Sequence, residues 1–106
     1  MKLYNFKDCI GGWFVGGFKN AAFFTEQFEV SFKLHKKDEK WPTHYHTVVT
    51  EINLIVRGSM TIQGKHLKKD DIFILEPYEI ADPVFHEDCE IVCVKTPSKN
   101  DKVIIA

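Results

Sequence analysis

The chain has 106 residues, 44% of them hydrophobic, with 14 Lys and Arg against 15 Asp and Glu and a formal charge of −1. That length supports one core and one domain, residues 1–106, and leaves no room for a separate cofactor domain. The two signs of charge are interspersed, which argues against nucleic acid and an anionic membrane as partners; Lys7 and Asp8 interrupt the mildly apolar start, no run reaches the length of a signal core or membrane span, and a cytoplasmic protein is expected.

Short alternating segments separated by Gly, Pro, Asn and Asp fill the sequence, and no apolar repeat at helical spacing lasts beyond a couple of turns. This predicts an all-β fold of about eight to ten short antiparallel strands in one domain, the count of a jelly roll or small barrel. Gly11 to Phe18 reads as a glycine-bracketed strand or bulged edge, and its glycines make no phosphate loop because no helix follows. From Phe28 to Leu34 the alternation puts Phe28, Val30, Phe32 and Leu34 inward and Glu29, Ser31, Lys33 and His35 outward, which makes His35 a surface histidine. Lys36 to Lys40 is a solvated charged turn, and Trp41-Pro42 leads the chain into the next strand.

The run His44-Tyr45-His46-Thr47-Val48-Val49-Thr50-Glu51 follows, continued by Ile52-Asn53-Leu54-Ile55-Val56-Arg57 and closed by Gly58. Successive strand side chains point to opposite faces, so His44 and His46 share a face, Tyr45 points away from them, and Glu51 returns on the next strand of a β-hairpin. Two imidazoles and a carboxylate are a first-row transition-metal ligand set, and each imidazole should donate its other N–H to a carbonyl or carboxylate. Glu51, Asn53 and Ile55 share a face, as do Phe73 and Leu75, so a polar centre with an apolar rim forms the expected substrate pocket from Asn53, Phe73 and Leu75.

Gly64-Lys65 marks a tight turn between Ser59–Gln63 and His66–Lys69, with His66 exposed beside it. Asp70-Asp71 precedes the apolar strand Ile72–Leu75, and Asp82-Pro83 opens a second turn-rich stretch. Cys89 to Lys95 is a late core strand; Cys89 and Cys93 face one side roughly 13 Å apart, too far for a disulfide, so buried free thiols are expected. Thr96 to Asp101 reads as an exposed loop and Val103-Ile104-Ile105 as a closing strand.

His44, His46, Glu51 and Gly58 resemble the second half of the first cupin motif, which runs Gly, five residues, His-x-His, three or four residues, Glu, six residues, Gly; Asp38 stands at the leading Gly. Asp70-Asp71-Ile72-Phe73-Ile74-Leu75-Glu76-Pro77-Tyr78-Glu79-Ile80-Ala81 takes the place of the second motif, Gly-Asp, four residues, Pro-Pro-Gly, two residues, His. The fourth metal-binding His is missing there: Ala81 holds its register and Asp82 follows, so either Asp82 is the fourth ligand after a one-residue shift or the metal keeps three protein ligands. The resemblance to small single-domain, RmlC-like cupins implies a single jelly-roll barrel with its core at about residues 28–95 and a small-molecule partner, and two His with one carboxylate suit a divalent transition metal (Fe, Mn, Ni or Zn). Three functions compete: a metal-dependent enzyme such as a dioxygenase, isomerase or lyase, with Asp82 moving protons; a non-catalytic binder or sensor of a small, sugar-like ligand; and a structural jelly roll. A homodimer is also expected, with Trp13, Phe14 and Phe18 as its contact and Phe23 and Phe24 over one mouth of the barrel.

Overall fold

The computed structural model describes residues 1–105. Among these the chain forms one 3₁₀ turn, Phe6–Asp8, and eleven strands: β1 (Trp13–Gly16), β2 (Phe23–Phe24), β3 (Glu29–His35), β4 (His44–His46), β5 (Thr50–Arg57), β6 (Ser59–Ile62), β7 (Lys65–Lys68), β8 (Ile72–Leu75), β9 (Val84–Phe85), β10 (Cys89–Thr96) and β11 (Lys102–Ile104). The fold is all-β, and the strand count exceeds the sequence estimate because two-residue pairings such as β2 and β9 leave too little alternation to read. Hydrogen bonding builds a six-stranded sheet, β2-β1-β3-β10-β5-β8, a three-stranded sheet, β7-β6-β9, and a two-stranded sheet, β11-β4. Apart from β1 with β2, which run parallel, the named pairs are antiparallel. The sheets do not close into one continuous ladder. They pack as a jelly roll, with β1 before and β11 after residues 28–95 also taking part.

The core lies where Ile55 and Ile91 of the large sheet meet Met60, Ile62 and Phe85 of the three-stranded one. Between β5 and β6 the chain changes sheets at Gly58, where φ is +98° and an added Cβ would run into the Asp88 carbonyl and the Cys89 side chain. Only a residue without a side chain makes that corner, which gives the last letter of the first motif its physical reason. The β6–β7 hairpin turns at Gln63-Gly64, both with positive φ, one residue earlier than the Gly64-Lys65 expected.

Along β3 the sequence reading assigned the two faces the wrong way round. Glu29, Ser31, Lys33 and His35 line the interior, while Phe28 and Leu34 are exposed. The apolar side chains of β3 instead begin two rows across the convex face of the large sheet, Phe32–Val92–Leu54–Ile72 and Val30–Val94–Ile52–Ile74. Phe6 covers the β3 end of this face, with ring centres 6.0 Å from Phe14 and 6.3 Å from Phe32. The β8 end stays open, with Ile72 and Ile74 65% and 52% exposed. An apolar alternation identifies a face that leaves water. It does not say whether that face is the concave or the convex one.

Candidate metal centre

His44 and His46 are buried on one face of β4, but β4 and β5 do not form a hairpin. β4 pairs with β11, and β5 lies between β10 and β8, so the imidazoles and Glu51 approach one another from different sheets. Residues 47–49 make the corner between them, and Asp101 makes that corner possible. Its Oδ2 accepts from the backbone N–H groups of Thr47, Val48 and Val49 at 3.1, 2.7 and 2.9 Å, while its Oδ1 lies 2.7 Å from His46 Nδ1. Successive N–H groups converging on one carboxylate form an anion nest. Burial opposes the charge on Asp101, but these donors outweigh it and hold the carboxyl well below the usual range. The expected exposed loop therefore ends on a side chain only 3% exposed.

The donor set fits a divalent cation. His44 Nδ1 donates to the Pro42 carbonyl at 2.9 Å, and a carbonyl only accepts, so Nε2 is left with a lone pair. His46 Nδ1 faces Asp101, and His46 Nε2 lies 3.1 Å from Glu51 Oε2. One ligand atom from each of His44, His46 and Glu51 lies within 4.8 Å of the others. Bonds of about 2.0–2.2 Å put neighbouring ligand atoms about 3 Å apart, so small shifts suffice to hold an ion. Without one, the hydrogen bond to Glu51 raises the pKa of His46, and burial lowers that of His44, favouring the neutral form that ligates. Burial works against ionised Glu51, but His46, together with Cys93 and Asn53, outweighs it and keeps it below the ordinary carboxylate range. Asn53 Nδ2 and the Cys93 thiol add long contacts to Glu51 Oε1 at 3.4 and 3.5 Å. Burial, then the neighbouring Glu51 charge, keep that thiol protonated.

The cluster opens into a cavity of about 590 Å³ whose walls include Asn53, Phe73 and Leu75. Asp82 is not drawn into it. Its carboxylate is exposed and accepts from the Gln63 backbone N–H at 2.7 Å, which corrects its expected place as fourth ligand and proton carrier. Ala81 is at the site instead: it bridges to His44 through backbone hydrogen bonds of 3.1 and 2.8 Å and is buried in the cavity wall. Where the second motif carries its histidine, this chain presents a methyl group.

Other expected positions also move. His35 is a wall residue rather than a surface one, stacked on Phe85 at 4.6 Å with Nδ1 2.7 Å from Glu39. Trp13 and Phe18, expected at a dimer contact, line the cavity, and Phe14 packs on Phe6. Phe23 and Phe24 stand exposed on β2, outside the cavity lining. Sequence reasoning passed over Asp101, Lys33, Lys95, Lys102 and Trp41 as site residues, and none of them belongs to a spacing motif. Among the described residues no helix is long and apolar enough to cross a membrane.

No protein-family model matches the chain, and no curated protein matches its sequence. Solved structures do match its fold. A protein with a double-stranded β-helix domain from Klebsiella pneumoniae superposes with a TM-score of 0.67 at 19% identity, covering 77% of each chain. KdgF from a Halomonas species gives 0.64 at 18% identity, covering 73% of this chain and 74% of that one. Salicylate 1,2-dioxygenase from Pseudoaminobacter salicylatoxidans gives 0.57 at 12% identity over 67% of this chain and 21% of its own. At these identities the likeness speaks to architecture, and the architecture is the small cupin, or double-stranded β-helix, fold.

Proposed function

We propose that the protein is a metal-dependent enzyme acting on a small molecule inside the jelly roll, of the dioxygenase, isomerase or lyase type, with His44, His46 and Glu51 holding a divalent Fe, Mn, Ni or Zn ion. The observation that carries this reading is the convergence of those three side chains on one cavity whose fourth ligand register is filled by Ala81. Structural zinc sites close with four protein ligands, whereas His44, His46 and Glu51 alone would leave a held ion with coordination positions free for a substrate. A bound divalent ion supplies Lewis acidity toward a substrate oxygen. The chain's own residues do the rest: Pro42 and Asp101 fix the two imidazoles, Asn53 offers an amide, and Phe73 and Leu75 exclude water. The salicylate dioxygenase among the structural neighbours fits this reading.

Elemental analysis of the purified protein beside a His44→Ala plus His46→Ala variant tests it. Stoichiometric metal in the wild type, and none in a variant that keeps its β circular dichroism, is the expected result. A soluble wild type that retains none of the four metals after loading and dialysis removes the proposal. One feature favours the non-catalytic binding reading: with Asp82 outside, the proton carrier expected beside the cluster is gone. Turnover assays on metal-loaded protein separate the two.

We also propose a homodimer, formed through the open β5–β8 end of the convex apolar face.

A further inference from the structure

The cavity carries more positive charge than its own carboxylates balance. Lys19, Lys33, Lys95 and Lys102 line it against Glu29 and Glu51, with no arginine or aspartate in the lining among the described residues. Glu29 is taken by Lys95 at 3.1 Å, and Glu51 faces His46 at the same distance. Lys33 and Lys102 have no ion-pair partner among the described residues. Their ammonium groups rest on aromatic rings instead: Lys33 Nζ lies 4.9 Å from the Trp13 ring centre and 5.7 Å from that of Trp41, and Lys102 Nζ lies 5.0 Å from Trp41. Lys95 Nζ is on Trp13 as well, at 5.4 Å. A ring face attracts a cation but supplies no counter-charge. Burial pulls Lys33 below the ordinary lysine range, with the like charges of Lys102 and Lys95 adding to it and Cys93 and Glu51 acting the other way. A divalent ion on Glu51 would enlarge the positive excess.

A second, independent feature lies on the same inward face of β3. Ser31 is fully buried, lines the cavity, and its Oγ has no hydrogen-bond partner. Strand register sets it between Trp13 and Cys93, two residues from Lys33. A buried hydroxyl without a partner is uncommon and marks a place where something else completes the bonding.

We infer that Lys33 and Lys102, with Ser31, form a subsite for the anionic head group, carboxylate or phosphate, of a small acid that lies against Trp13 and Trp41 and reaches toward His44, His46 and Glu51. Lysines act as point charges, without the planar fork of arginine, and accept either head group. This deepens the function proposed above and rests on it only for catalysis, because the lysines bind the acid without a metal.

Trp13 and Trp41 are the two tryptophans of the chain, so intrinsic fluorescence reports occupancy. The probes are cyclohexanecarboxylate, citrate and inorganic phosphate, with cyclohexanecarboxamide as the neutral counterpart of the first, titrated into the protein as purified and after chelation of metal. The acids bind in both preparations, and the amide binds at least about tenfold more weakly than its carboxylate. Lys33→Met lowers acid affinity by about 10- to 100-fold, the loss expected for one charge-assisted hydrogen bond. Lys102→Met, at the exposed mouth, lowers it in the same direction and serves if Lys33→Met does not fold. Lys65→Met, on β7, leaves it unchanged. The order of carboxylates against phosphate identifies the head group. Equal binding of acid and amide to the metal-free protein, or folded lysine variants with unchanged affinity, overturns the subsite. Acid binding by a protein that holds no metal removes only the proposed enzyme, and stoichiometric metal without acid preference removes only the subsite.

Discussion

Asp101 carries more of the site than its place in a polar tail suggests. One carboxylate orients His46 and ties down the corner that lets β4 and β5 belong to different sheets. Asp101→Asn keeps the shape but removes the charge and places an N–H₂ where an acceptor is needed. We expect it to cost about 2–4 kcal/mol in urea unfolding, and to weaken metal binding about 10- to 100-fold through the loosened His46. The pH dependence has a definite sign. A carboxyl whose folded pKa is depressed contributes stability that is fully present above its unfolded value, about 3.9, and is lost as pH falls toward the folded one. Acidification from about pH 5 should therefore destabilise the wild type more than the variant, and parallel urea curves across that range check it. Ala81 gives the complementary experiment. Ala81→His restores an imidazole opposite His44 and should tighten metal binding by tenfold or more, measured by chelator competition, while leaving fewer open positions. At this scale the sequence was readable where chemistry is carried by side-chain identity, as in His44, His46 and Glu51. It misled at Asp82 because neighbours on an extended chain point to opposite sides: with Ala81 turned into the cavity, Asp82 is turned out.

Between elements, backbone conformation outlives the residues that usually mark it. The leading Gly of the first motif and both glycines of the second are replaced here by Asp38, Asp70 and Tyr78, and each has a left-handed φ, of 60°, 76° and 70°. Aspartate tolerates this region better than most residues. Tyr78 is a poor choice for it and comes with a stacking contact to Tyr45 at 5.6 Å. The second motif was thus degenerate in letters while its turns persist, and letters are all that a sequence displays. Asp70→Gly should change unfolding free energy by no more than about 1 kcal/mol, the relieved strain and the added chain entropy being similar in size. Gly58→Ala, at the crossing between sheets, should cost about 2–4 kcal/mol, because strained φ and a collision with rigid backbone act together. Chemical denaturation of the pair distinguishes a position that has dispensed with glycine from one that has not. The reversed faces of β3 have a related cause. Period-two alternation specifies register well, but which side is concave depends on strands far away in sequence, here β10 and the three-stranded sheet.

For the whole molecule, the convex face of the large sheet poses a solvation problem that the chain itself solves only halfway. Phe6 shields the β3 side, while Ile52, Leu54, Ile72 and Ile74 stay 36–65% exposed on the β5 and β8 side. A stable interface hides about 800 Å² per partner, and two contiguous rows of branched side chains ending at an unpaired edge strand are of the kind that forms the apolar centre of one. A two-fold interface uses the same patch on both copies, so any substitution enters it twice. Ile74→Glu would bury two carboxylates near each other and remove two apolar anchors, each worth about 1.5–3 kcal/mol. The wild type is expected to sediment as a dimer at micromolar concentration, and Ile74→Glu as a monomer with unchanged circular dichroism and undiminished metal content, since Ile74 points away from the cavity. Leu3→Glu, in the exposed N-terminal segment, should leave the dimer intact. A dimer lost through Leu3→Glu and kept through Ile74→Glu would move the interface to the N-terminal side, and a monomeric wild type would remove it.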